Sequence, residues 1–488
     1  MTENDEYNEV KDNEQNQRTN KAIKSGTWYT ISSVSVKAVL IITTPIFTRL
    51  MSTTDYGISA TFSSWFTLLS VVCSLNLMYS VGRAKLDFPG KLDEFVGSVQ
   101  LLALVFTLGV GLISCFFFKQ VCSLLEMGSG LVIALYIYLL VYPAIQLTQA
   151  KFKYVYNYKG NIAIAVYTTL STVAISLILV LLLKDQQALG KSLGAVISSV
   201  ILAIGIWGLS LKRGWIKANY KYWKYALCIS VPLILNSISL NILAQSDRIF
   251  ITRFVGSHYT AIYSLAYNYA ILINIILSAV NEAWLPWFHD TFFDGNTGLI
   301  RKNVKYLVVF GCWFGVGCIA IAPEAIALLG GSSYSEGVWA VPPVTIGIVC
   351  SFIYQQYEHI ELHLKKTWYI SVGTILAAVL NIVLNYIFVP KYGFVAAAYT
   401  TLFCYFVLMA IHHFVSRVIL KIHLYDDKFM YIALAATCIL AIIFMSLYNK
   451  FWLYRWLLII AISLLYLILN RKMIMGVIQN FADKKKAK

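Results

Sequence analysis

Apolar runs broken by short clusters of charged, amide or glycine-rich residues recur along almost the whole chain. Read between those breaks, the pattern predicts helices near 27–48, 57–81, 96–118, 128–150, 161–183, 192–211 and 225–246. A second series lies near 260–285, 306–328, 339–361, 368–389, 395–415, 430–448 and 453–470. A helix needs about 20 apolar residues to cross the hydrocarbon core, and each run supplies roughly that number. Transmembrane strands are excluded, because they alternate in polarity and need about half this length. The expected fold is an all-α integral membrane protein with about fourteen transmembrane helices.

Composition strengthens this reading and removes others. Of the 488 residues, 59% are hydrophobic and 13% charged, and the mean hydropathy is +0.70. Fourteen spans leave only short connections and no room for a soluble catalytic domain. The nine Cys contain no C-x-x-C pair and fall mostly inside apolar runs, so a disulfide scaffold is excluded. Residues 1–26 carry Glu3, Asp5, Glu6, Glu9, Asp12 and Glu14 among amides, a composition too polar to fold alone. They read as a disordered cytoplasmic tail and not as a signal peptide, since no basic segment comes first and no cleavage pattern follows the first apolar run.

The net charge of +16 would suggest nucleic acid in a soluble chain, but here position decides. With the amino terminus inside, 29 of the 39 Lys and Arg lie in cytoplasmic segments, nine lie outside, and Lys37 lies within a span. Cations gather on the cytoplasmic side of membrane proteins, so both termini are expected inside and no nucleic acid is expected as a partner. The densest basic loop, 212–224, separates residues 27–211 (helices 1–6) from 225–415 (helices 7–12). Helices 13 and 14 fill 416–470, and 471–488 is a basic cytoplasmic tail.

The two six-helix segments repeat each other. Thr48, Arg49, Gly57 and Ile58 match Thr252, Arg253, Ala261 and Ile262 at a constant offset, and Gly190, Gly194 and Ala195 match Gly393, Ala397 and Ala398 at nearly the same one. Because six is even, equivalent helices enter with the same orientation, which makes the lobes parallel repeats. The last two helices stand outside the repeat.

At these motifs the chain resembles a known family. TRLMSTTDYGISATF, SDRIFITRFVGSHYTAIYSLAYNY, PWF, APEAIALLGGSSY and YGFVAAAYTT, in this order over roughly 25–470, resemble the polysaccharide transporter branch (Wzx-like oligosaccharide flippases) of the multidrug/oligosaccharidyl-lipid/polysaccharide (MOP) exporter superfamily. The resemblance implies a MATE-like fold and no cofactor. It further implies translocation of undecaprenyl-diphosphate-linked oligosaccharide repeat units across the bacterial plasma membrane, through a cavity between two lobes. Such a protein has a lipid-linked oligosaccharide as substrate, membrane lipids around it, H+ or Na+ as a candidate coupling ion, and other polysaccharide assembly proteins as candidate partners.

Several residues could carry that chemistry. Lys37 lies halfway through helix 1, where an ammonium is costly unless it faces a wet cavity or a partner, so it is the leading candidate for attracting a diphosphate. Arg49 and Arg253 occupy repeat-equivalent helix ends, with Asp247 and Arg248 before the second; an outer gate and plain interfacial anchoring both fit them. Asn76, Asn236 and Asn274 mark a lumen wall, although interhelical hydrogen bonding explains such residues as well. At the inner end of helix 10, Gln355, Glu358 and His359, with Glu282 on helix 8 and Gln146 and Gln149 on helix 4, suggest a polar vestibule or proton-responsive gate. His359 and His363 have a metal-compatible spacing, but with no third ligand evident no metal is expected. Pro45, Pro143, Pro232 and Pro323 permit bends within spans.

Three function classes compete. A flippase for lipid-linked oligosaccharides uses a cation-bearing cavity. A lipid II or multidrug exporter on the same fold is the alternative, although an exporter of cations would favour an acid where Lys37 stands. A polysaccharide polymerase, an enzyme, is disfavoured by uniformly short outer loops.

Overall fold

The computed structural model describes residues 41–449 and 452–471, with Trp28, Ser35, Val36 and Val39 besides. All regular structure among the described residues is helical. Among the described residues, twelve helices are long and apolar enough to span a membrane, and a thirteenth span forms if the turn Ser332–Trp339 is joined across a 48° bend to Val341–His363. The first expected span lies largely outside the described residues, which show only its end, α1 (41–50), as continuous helix.

The second span is not one rod. It is α2 (Thr53–Cys73) and α3 (Met78–Asp87), separated where Leu75 and Asn76 take left-handed backbone angles of φ 49° and 54°. A break at this depth must satisfy the backbone groups it frees. The Thr107 hydroxyl donates to the Cys73 carbonyl (3.1 Å), and the Asn76 amide reaches the next segment described below. After it come α4 (Leu92–Phe116), α5 (Phe118–Leu125), α6 (Ser129–Tyr154), α7 (Tyr158–Leu182), α8 (Gln187–Lys212) and α9 (Tyr220–Phe254). Side-chain oxygens start the helices where the sequence allows. Ser52 accepts from the Asp55 N–H, Asn157 from Gly160 and Asn219 from Lys221, each satisfying a donor that the first turn cannot.

Residues to Ala261 form one compact unit. The apolar face of α6 (Leu131, Leu135, Leu139) packs with Phe62, Cys73 and Val196, and Phe88, Phe95, Tyr222 and Tyr225 form an aromatic cluster. Helix α9, which the sequence repeat assigns to the second lobe, packs in this unit against α2, α3 and α4. The Asn76 amide donates to Ser237 (2.8 Å), Ser64 to Gln245 (3.1 Å) and the Trp223 indole to the Ser98 carbonyl (2.9 Å). The packing boundary therefore falls one helix later than the basic 212–224 loop.

The second compact unit, from Ile262, contains most of α10 (Ser257–Phe293), then α11 (Thr297–Gly330), α12 (Val341–His363), α13 (Thr367–Tyr392), α14 (Phe394–Phe414), α15 (Asp427–Ser446) and α16 (Trp452–Leu469). Helix α12 is buried along most of its length, unlike any amphipathic surface helix. Gly331 (φ 73°) and Gly393 (φ 74°) end α11 and α13 in a region that a Cβ disfavours. The last two helices lie on α11: Trp313 stacks on Tyr466 at 4.6 Å, Tyr448 donates to the Ile319 carbonyl (2.8 Å), and the buried Arg455 pairs with Glu324. Helices α9, α10 and α11, at 35, 37 and 34 residues, continue well past the expected edges of their spans. They remain helical through Pro232, Pro286 and Pro323.

Candidate functional site

Two polar regions stand out, one in each unit. In the second unit, α10 and α12 share a side-chain network. Asn281 is its centre: its carbonyl oxygen accepts from the His359 Nε2 (2.9 Å) and from the Gln356 amide (3.3 Å), and its own amide donates to Gln355 (2.8 Å). One turn further along α12 and two along α10, the Nδ1 atoms of His289 and His363 are 2.9 Å apart, and Phe288 packs against the His359 and His363 rings. Gln355 and His359, named from sequence, thus meet. Glu282 does not join them. It sits one position from Asn281, about 100° round the helix, and is exposed. His363 is turned to His289, so the two imidazoles do not converge on a shared ion, and no group of three metal-ligating side chains occurs among the described residues.

Glu358 is half-buried beside this network and faces a second, drier pair: Glu361 on α12 and His412 on α14, joined at 2.8 Å with both side chains 0% exposed. Sequence reading singled out neither member in that role. They are 51 residues apart, and the fold alone brings them together.

In the first unit, Asp247 and Arg248 are buried, and Arg248 donates to the Ala244 carbonyl and Gln245 (both 3.1 Å). Ser64 donates to the same Gln245 oxygen, which ties Arg248 to the α2–α9 contact. Arg49 and Arg253 are exposed, as is Asn274, whose side chain accepts from Ser278. Asn76 is a helix-joining residue by its bonds to α9, and Asn236 keeps a buried oxygen with no hydrogen-bond partner. Gln146 likewise holds an unpartnered buried oxygen and Gln149 is half-buried. Between their helix and α4, the unforeseen Gln100 donates to the Ala144 carbonyl and Thr148 (both 3.2 Å). Lys37 lies outside the described residues.

A different cation emerges instead. Lys191 lies four residues into α8, half-buried, with its ammonium 3.7 Å from the Tyr56 ring centroid and 5.3 Å from that of Phe47. Its partners are these aromatic faces, and among the described residues no carboxylate forms an ion pair with it. A ring quadrupole attracts a cation without supplying a counter-charge. The signal in sequence was a lysine one turn inside an apolar run, close enough to the 184–186 connection to pass for a loop charge.

Comparison with known proteins fits this architecture. The model of a family described as polysaccharide biosynthesis protein matches residues 22–292, more than half of the chain. Among solved structures, an inward-facing MATE multidrug resistance transporter of the MOP superfamily superposes with a TM-score of 0.63 at 12% identity, over 80% of this chain and 98% of that one. The lipid II flippase MurJ in an inward closed conformation also gives 0.63, at 17% identity over 91% and 99%. An uncharacterised membrane protein of Methanocaldococcus jannaschii is 25% identical over 176 residues, which span 36% of this chain and 41% of that relative. The chain belongs to the polysaccharide biosynthesis protein family, and its fold is that of the MATE and MurJ structures.

Proposed function

We propose that the protein flips undecaprenyl-diphosphate-linked oligosaccharide repeat units across a bacterial plasma membrane by alternating access, for assembly of a surface polysaccharide. The family assignment supports a role in polysaccharide assembly, and the fold shared with a lipid II flippase supports a lipid-linked cargo. The observation that carries the reading is Lys191. A carrier of a sugar diphosphate needs positive charge that is not already spent on a carboxylate. Lys191 offers it over Tyr56, and Lys37, by its place in the sequence, is a second such charge. A multidrug exporter of cations would place an acid in this role.

Deletion of the gene is expected to leave lipid-linked repeat units on the cytoplasmic leaflet, and the intact gene to clear them. Lys191→Ala and Lys37→Ala should insert normally and fail to clear them, whereas Lys→Arg at either position should keep much of the export, because charge matters more than shape here. Full export by both alanine variants would assign the cations to structure.

The orientation with both termini inside is part of the same proposal. In a cysteine-free background, single cysteines at Ser52, Gln186 and Ser332 should react with an impermeant thiol reagent from outside, and ones at Arg83, Asn157 and Ala218 should not. All six positions are exposed, whereas the neighbouring Ala84 is buried and would be silent in either orientation.

A further inference from the structure

The charge that the transport reading leaves unused is the Glu361–His412 pair. Both side chains are 0% exposed, and the only hydrogen bond between them joins His412 Nδ1 to Glu361 Oε1 at 2.8 Å. The other two polar atoms, Glu361 Oε2 and His412 Nε2, are buried with no hydrogen-bond partner. The imidazole is stacked on the Tyr354 ring at 5.4 Å, 13° from parallel. On its other side is Gly373 of α13, whose missing side chain leaves Nε2 facing space that a Cβ would occupy at 3.5 Å.

The surrounding charges are committed elsewhere. On α12, Tyr357 donates to Asp427, while His359 and His363 are turned to Asn281 and His289. Glu358 is the one further acid, close enough to act electrostatically on both members. On α14, His413 faces Tyr431 and Asp427. From the turn Val415–Ile419 and α15, Arg417 is bonded to Asp427, His423 and the Tyr425 carbonyl. From α11, Lys305 is held by Asp426 and Arg301 by the carbonyls of His423 and Leu424. Lys365 and Lys366 lie in the exposed link before α13.

Among the described residues, then, no Lys or Arg reaches Glu361, and a proton is the positive charge open to it. With Nδ1–H donating to the carboxylate, hydrogen at Nε2 decides the pair's net charge: without it the pair is −1, with it 0. A buried charge without a partner costs several kcal/mol. We propose that the Glu361–His412 pair is a proton-binding site within the second unit, taking up and releasing one proton at His412 Nε2. This deepens the transport reading and rests on it for its purpose: the proton would be the coupling ion of the export cycle.

The test separates the two ideas. Solid-state nitrogen NMR of histidine-labelled protein in liposomes distinguishes neutral imidazole from imidazolium, and His412→Asn identifies the His412 signal among seven histidines. In the wild type that signal should switch from neutral to doubly protonated as pH falls, and in Glu361→Gln the switch should move lower by about one pH unit or more. In cells, Glu361→Gln should cut export at least about tenfold and abolish its response to a proton ionophore, a tenfold loss being about 1.4 kcal/mol. A His412 that stays neutral at every pH where the wild type is folded overturns the site, as does an unshifted switch in Glu361→Gln. The wild-type measurement stands even if the variant does not fold. If His412 switches but deletion of the gene leaves no lipid-linked intermediate, the proton site holds and the cargo assignment fails.

Discussion

The contact between α7 and α8 and the contact between α12 and α14 solve one packing problem by opposite means. Between α7 and α8 the backbones approach closely: a Cβ on Gly194 would fall on Ser176, and one on Gly190 would lie 2.8 Å from the Leu179 carbonyl oxygen. Ser176 donates to the Lys191 carbonyl (2.8 Å), and Ser171 and Ser198 share a hydrogen bond. This is small-residue packing, held by van der Waals contact and neutral hydroxyls as expected where water supplies no driving force. Between α12 and α14 the side chains include a carboxylate and an imidazole in a dry interior. The first contact carries no ionisable pair, whereas the second does.

The largest effect expected from breaking this contrast is at Glu361. Glu361→Ala leaves His412 buried without its partner and should destabilise the purified protein by about 3–5 kcal/mol, measured by thermal unfolding in detergent. Glu361→Leu with His412→Phe, which removes both polar groups, should recover most of that loss. If the double variant is no better than the single one, the α12–α14 contact depends on the ion pair itself for its packing.

Volume should rule at the other contact. Gly194→Leu overpacks the seam and should cost about 1–3 kcal/mol in the same assay. Gly205→Ala, also on α8 but with nothing within 4 Å of an added Cβ, should be neutral or slightly stabilising. Equal losses at both glycines would dissolve the distinction.

The smallest effect belongs to the solvated rim of the second unit. Asp426 caps α15 and accepts from Lys305 at 2.6 Å. The Lys305 hydrogen bond, and after it the Phe429 N–H, hold its carboxyl below the usual carboxylate range. Its stabilising contribution is therefore complete above the ordinary carboxylate value and lost as pH falls through the lowered one. Asp426→Asn should lower the melting temperature slightly at neutral pH and not at all in strong acid.

Much of this was legible from residue order. The spans, the Gly190 and Gly194 motif and the family follow from patterns local in sequence, because a bilayer imposes length and polarity on every helix it contains. What was not legible depends on rotation and distance. Asn281 and Glu282 are adjacent letters but point in different directions, and the structure chose the amide for the network. Glu361 and His412 acquire meaning only when two helices meet. The kink at Leu75 and Asn76 leaves no trace in hydropathy, since a left-handed residue can be apolar. Lys191 was hidden by proximity to a polar turn.

The length of α10 has a mechanical consequence. At about 1.5 Å per residue its 37 residues form a rod of about 55 Å, roughly twice the thickness of the oily layer it crosses. Pivoted near Ile275, a tilt of about 5° would sweep His289 through about 2 Å, since it lies roughly 21 Å along the axis. That displacement is enough to part the His289–His363 bond, now 2.9 Å, and hardly moves atoms at the fulcrum. A small angular change in such a lever could thus open one end of the helix while its middle stays seated.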